Sequence, residues 1–122
     1  DSQIFRVRAL FTRALAVHEK ARKVLAQLEL RHYQGETMRV AVGLGALQQE
    51  MAVLPVITQQ DKDAFDGPKD AKYLQTMLTY YMYVRDDVST MVQQKIEEWG
   101  SDVAYNGKPM RHEPNQWQHL RL

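Results

Sequence analysis

The chain has 122 residues, with 16 Lys and Arg against 15 Asp and Glu, a formal net charge of +1, and no cysteine. That length fits one domain whose core can form without covalent staples. Near-neutral charge excludes a globally basic nucleic-acid binder. The missing cysteine excludes disulfides, thiolate metal sites and cysteine nucleophiles, and no apolar run approaches the ~20 residues of a membrane-spanning helix. The first residue is Asp1 rather than Met and no signal-peptide pattern follows, so a processed or trimmed chain is expected.

Ser2 is a good N-cap for a long periodic stretch. Ile4, Val7, Phe11, Ala14, His18, Ala21, Leu25 and Leu28 advance in steps of three and four, and Leu10, Leu15, Val17 and Val24 widen the stripe. Neither Gly nor Pro intervenes before Gly35. A helix over about residues 3–33 is therefore expected, with His18 buried in its seam. A second helix is read from Glu36 to Val53, its apolar face marked by Met38, Val42, Leu44, Leu47, Met51 and Leu54. Gly43 and Gly45 inside it each cost about 1 kcal/mol relative to Ala, which points to close approach of a neighbouring backbone. Pro55 ends this helix. Thr58 and Asp61 resemble a capping box that opens a short helix over Gln59 to Phe65.

Asp66-Gly67-Pro68 reads as a turn with Pro at the start of the next helix. From Lys69 the series Leu74, Leu78, Tyr81, Val84, Val88, Met91, Ile96 and Trp99 carries a third main helix to Gly100. Tyr80 and Tyr83 broaden its apolar side around residues 77–84, so burial against two neighbours is expected there. Beyond Gly100 the period is lost. Asn106-Gly107 marks a turn, Pro109 and Pro114 interrupt, and Tyr105, Met110, Trp117, Leu120 and Leu122 stand as isolated large residues. The expected fold class is all-α: a bundle of three main helices over residues 1–100 and an extended C-terminal arm over 101–122.

Charge is unevenly distributed. Residues 1–31 hold seven bases and three acids, and residues 61–98 hold eight acids and five bases, which favours complementary packing within the chain or a basic face for an acidic partner. Converging catalytic groups are not found. Glu29-Leu30-Arg31-His32 is one Glu-x-x-His where a di-iron bundle needs two and further carboxylates. His18-Glu19 lacks the second His of a zinc-protease motif, and Gly43-Leu44-Gly45 lacks the rest of a phosphate-binding loop. Asp86-Asp87 and Glu97-Glu98 point about 100° apart on a helix and read as a solvated face. Tyr73, Tyr80, Tyr81 and Tyr83 read as core and interface rather than a base-stacking platform. No catalytic residue, metal site or cofactor is expected. The expected partner-binding residues are the basic side of the first helix (Arg6, Arg13, Lys20, Lys23) and the arm anchors Tyr105, Met110, Trp117 and Leu120.

Ala9-Leu10-Phe11-Thr12-Arg13-Ala14-Leu15, with Tyr33-Gln-Gly-Glu-Thr-Met38-Arg39, resembles the signature of the LYR-motif proteins, small three-helix mitochondrial subunits and assembly factors. Phe11 and Thr12 stand in place of that motif's Tyr and Arg. The resemblance implies an acyl carrier protein as a partner. Leu10-Phe11-Thr12-Arg13-Ala14-Leu15, Glu98-Trp99 and Glu113-Pro114-Asn115-Gln116-Trp117 are also similar to a helical accessory subunit of the hydrophilic arm of complex I. These stretches cover under a fifth of the chain. They imply a non-enzymatic accessory subunit of a multiprotein assembly, the mitochondrial respiratory chain, with other protein subunits as partners and no nucleic acid. Outside the resemblance the localisation reads as cytoplasmic, and two alternatives stay open: a nucleic-acid-associated helical small subunit and a ligand-sensing bundle.

Overall fold

The computed structural model describes residues 2–63, 72–100, 103–105 and 108–109. They form an all-α bundle in which α1 (Ser2–Tyr33), α2 (Thr37–Ala52) and α4 (Lys72–Trp99) are the main helices and α3 (Gln59–Asp63) is short; β1 (Ala104–Tyr105) and β2 (Lys108–Pro109) follow. Among the described residues no helix is long and apolar enough to cross a membrane.

Helix α1 runs uninterrupted, as its period requires, and stops where Gly35 adopts φ 79°. Glu36 N–H donates to the Arg31 carbonyl and Gly35 N–H to that of His32, the paired bonds of a Schellman cap that favours Gly at the left-handed position. The chain reverses there, so α2 runs antiparallel to α1. Helix α4 instead runs parallel to α1. Phe11 stacks on Tyr80, His18 meets Asp87, Glu29 meets Lys95 and His32 stacks on Trp99, residue numbers rising together on both helices.

At 32, 16 and 28 residues and 1.5 Å per residue, α2 is about half as long as the helices it covers. It closes the upper half of the α1–α4 pair, where Ala14, Ala21, Leu28, Leu44, Leu47, Tyr81, Val88 and Ile96 are among the residues of the main core cluster. The lower half holds a second, small cluster of Val7, Leu74 and Leu78, against which Ile57 packs from the connection after α2. Thr58 N–H donates to Asp61 Oδ2 and Asp61 N–H to Thr58 Oγ1, so the capping box forms with Asp in the usual Glu position. Phe65, the expected end of this short helix, lies outside the described residues, as do the Asp66-Gly67-Pro68 turn and Asn106-Gly107.

Three expectations need correction. Helix α2 buries Val40, Ala41, Leu44, Leu47 and Met51, while Met38 and Val42 are 69% and 54% exposed. The helix is apolar nearly all round, so its period could not select the inner face. Gly43 approaches a side chain rather than a backbone: a Cβ there would lie 2.6 Å and 2.8 Å from the two methyls of Leu28. Only Tyr81 of the tyrosine group is core, fully buried beside Tyr80 at 55% and Tyr83 at 68% exposure, and Tyr73 is also exposed. The broad apolar side of α4 is thus exposed among the described residues. Val103, within the expected arm, is buried in the main core cluster. The antiparallel pairs Ala104–Pro109 and Tyr105–Lys108 flank Asn-Gly, the turn dipeptide favoured between such strands.

Candidate functional site

Two side chains of α4 fasten the exit of α2. The Tyr81 hydroxyl donates to the Pro55 carbonyl at 2.5 Å, and Arg85 Nε donates to the Leu54 carbonyl at 3.3 Å. These carbonyls follow a helix end, where backbone acceptors lack intrahelical donors, and Pro55 supplies no N–H to continue the helix. Burial pushes the Tyr81 phenol up to about 12, although Arg85 and Arg13 pull the other way. A buried phenol held neutral as a donor is a structural element here, since its bond is spent on the backbone.

The expected basic face does not stand free as a unit. Lys20 Nζ lies 2.6 Å from Glu50 of α2, and Lys23 lies 3.6 Å from Glu19 one turn away. Arg6 and Arg13 are exposed, and Arg13 is near enough to Tyr81 to act on its proton. Both pairs lie at the surface, with the Lys20 and Lys23 side chains 59% and 72% exposed, so all four bases remain on the solvent-facing side of α1. Tyr105 lies in β1, on the α2 side of the fold. Met110, Trp117 and Leu120 lie outside the described residues.

His18 is a rim residue rather than a seam residue. Its ring is a quarter exposed and Nε2 lies 2.6 Å from Asp87 Oδ2. Asp87 thus makes a contact between helices while staying on a solvated face, and a partner 69 residues away carries no local signal in the sequence. The Glu-x-x-His pair is split. Glu29 approaches Lys95 at 3.5 Å, while His32 stacks on Trp99 with ring centroids 5.0 Å apart. Lys95 also lies 5.0 Å above the Trp99 ring. Burial works against the Lys95 charge, but Glu98 and Glu29 outweigh it and its pKa is raised. Among the described residues no group of three His, Asp or Glu side chains could hold a metal ion.

What remains exposed and organised is apolar. On the outer side of α2, Met38, Val42, Ala46, Gln49 and Val53 recur at three- and four-residue steps, and all five are exposed. The helix has two charged residues, Arg39 and Glu50, and each is held in an ion pair, with Glu36 and Lys20 respectively. A second exposed row, Tyr73, Tyr80 and Tyr83, runs along α4 beside Leu15 of α1. Above it, α1 and α4 leave an open groove of about 280 Å³ floored by Leu25, Ala26 and Met91. The α2 row was not legible from periodicity, which assigned Met38 and Val42 to the buried face; the tyrosines, read as core and interface, divide into buried Tyr81 and exposed Tyr73, Tyr80 and Tyr83.

Comparison with protein-family models, curated proteins and solved structures finds no match.

Proposed function

We propose that the chain is a non-catalytic structural subunit that packs into a larger protein assembly through the outer face of α2. The observation that carries this reading is the apolar stripe Met38, Val42, Ala46 and Val53 on a helix already apolar on its inner face. Gln49 interrupts the stripe, but its remaining members are apolar and exposed, and monomers rarely leave contiguous apolar surface uncovered. The stripe is uncharged, which favours a protein partner over nucleic acid, whose binding draws on Lys and Arg aimed at phosphates. The resemblance at Leu10–Leu15 and at Glu113–Trp117 directs the reading to an accessory subunit of mitochondrial complex I.

The test is affinity purification of the tagged full chain from the cells that make it, with mass-spectrometric identification of stoichiometric subunits. A Met38→Glu, Val42→Glu variant should fold normally, because both side chains are exposed, and should lose those subunits. If wild type and variant retain the same subunits, or if nucleic acid is what co-purifies, the reading is wrong. Identification of respiratory subunits decides the narrower assignment.

A further inference from the structure

The seam between α1 and α4 has an outer side that nothing among the described residues covers. On α1, Phe11, Leu15, His18, Arg22, Ala26 and Glu29 follow at three- and four-residue steps and so form one stripe. On α4, Tyr80, Tyr83, Asp87, Met91 and Gln94 do the same. The two stripes meet at the Phe11–Tyr80 stack, the His18–Asp87 contact and the groove between Ala26 and Met91. Helix α2 lies on the other side of the pair, against Leu28 and Lys20.

This face is patterned along and across its length. Its lower end is aromatic and uncharged on α4: residues 73–84 contain no Asp, Glu, Lys or Arg. Its upper end is polar. Across it, the α1 edge carries a net positive charge, with exposed Arg8, Arg22 and Lys23 against Glu19 and Glu29. The α4 edge is acidic, with exposed Asp86, Asp87, Glu97 and Glu98 against Lys95.

We infer that the occupant of this seam is a second copy of the chain, related by a two-fold axis running along the seam. Because α1 and α4 are parallel, such an axis lays each α1 over the partner's α4 at the same level. Aromatic lower ends then meet aromatic lower ends, and each basic edge meets an acidic edge. A two-fold across the helices would instead set α1 against α1, base against base, and press the aromatic end onto the polar one. The pattern is thus self-complementary for one of the two face-to-face arrangements, as an isologous interface must be. The size also fits. Helix α4 has 28 residues, a length of about 42 Å, and two adjacent helices are about 20 Å wide. The face therefore offers roughly 800 Å² per partner, the standard size of a stable interface. The tyrosine row alone would supply much less, so the whole seam is engaged.

The inference rests on the reading of the chain as an interaction protein but uses a different surface from α2. Sedimentation of the purified full chain across a concentration series measures it. The wild type should be a dimer that dissociates on dilution. Tyr80→Glu or Tyr83→Glu, both at exposed positions and checked for helicity by circular dichroism, should weaken the dimer at least about 30-fold, as expected when a charge replaces an aromatic anchor. Reversing the basic edge (Arg22→Glu, Lys23→Glu) should weaken it about tenfold, and reversing the acidic edge as well (Glu97→Lys, Glu98→Lys) should recover most of that loss. A monomer at about 100 μM, a dimer indifferent to Tyr80→Glu, or edge reversals that fail to compensate would each overturn the inference. So would a dimer lost on Val42→Glu but kept on Tyr80→Glu, which would place self-association on α2. A monomeric chain that still loses its co-purifying subunits on Met38→Glu, Val42→Glu overturns the dimer and leaves the proposed function standing.

Discussion

The upper and lower halves of the bundle are built from the same two long helices yet differ in depth. In the upper half α2 and Val103 close over α1 and α4, and seventeen buried residues form one cluster. In the lower half the cluster has three among the described residues, Val7, Leu74 and Leu78, with Ile57 from the connection beyond α2 and Met77 packed against it. The cause is length: α2 ends after 16 residues, and the connection must span what a longer helix would have covered. If the smaller cluster also means a shallower core, this half should be the region that opens first. Tyr81 and Arg85 sit at the junction and hold that connection by its carbonyls.

The largest test of this contrast is a pair of truncations at equally buried sites. Leu44 and Leu74 are both fully buried. Leu44→Ala removes packing from the deep cluster and should cost about 3–5 kcal/mol, the upper part of the range for such changes. Leu74→Ala, where the thin lower cluster can collapse into the space, should cost about 2–3 kcal/mol. Urea unfolding of both variants measures the difference. Equal losses would mean that the halves unfold as one and that the contrast is geometric only.

The second test acts on the junction. The Tyr81 phenol is raised from 10.0 to about 12, so the folded chain holds this proton more tightly than the unfolded chain does. Its contribution is therefore complete below pH 10, declines as pH rises through that window, and is gone above about pH 12. Two units correspond to roughly 2–3 kcal/mol. Tyr81→Phe should cost about 1 kcal/mol near neutrality through the lost bond to Pro55, and should flatten the stability profile between pH 10 and 12. A variant as pH-dependent as the wild type there would assign alkaline unfolding to other groups, Lys95 among them.

The same contrast explains what the sequence made legible. Helix α1 has one apolar stripe and an uninterrupted run to Gly35, so its extent was readable to within a residue. The Thr58–Asp61 box was readable because both partners are local. Helix α2 was readable as a helix but not as an oriented one: Val40 and Ala41 inside and Met38 and Val42 outside are equally apolar, and only a neighbour distinguishes them. Tyr80 and Tyr81 point about 100° apart on α4: Tyr81, in the main apolar series, enters the core and bonds to Pro55, 26 residues earlier, while Tyr80 stays exposed. The α2 surface was missed for this reason. Periodicity assigns apolar residues to an inner face by default, whereas a surface that serves a partner is apolar in spite of facing out.

The smallest effect tests how completely the upper half is filled, and its sign depends on two opposed terms. Gly43→Ala should gain about 1 kcal/mol of helix propensity at a mid-helix position. The added methyl would lie 2.6 Å and 2.8 Å from the Leu28 methyls and 3.2 Å from its Cγ. Those methyls end a flexible side chain, so they can turn away; but all three atoms must move, and Leu28 is itself part of the main buried cluster. Overpacking of this kind costs about 1–3 kcal/mol. The single variant should thus be destabilised by about 1 kcal/mol net. In a Leu28→Ala background the obstructing atoms are gone and only the propensity term remains, so the same Gly43→Ala change should stabilise by up to about 1 kcal/mol. Denaturant unfolding of the four chains of this cycle gives the coupling directly. If Gly43→Ala has the same sign in both backgrounds, Leu28 is not what Gly43 makes room for.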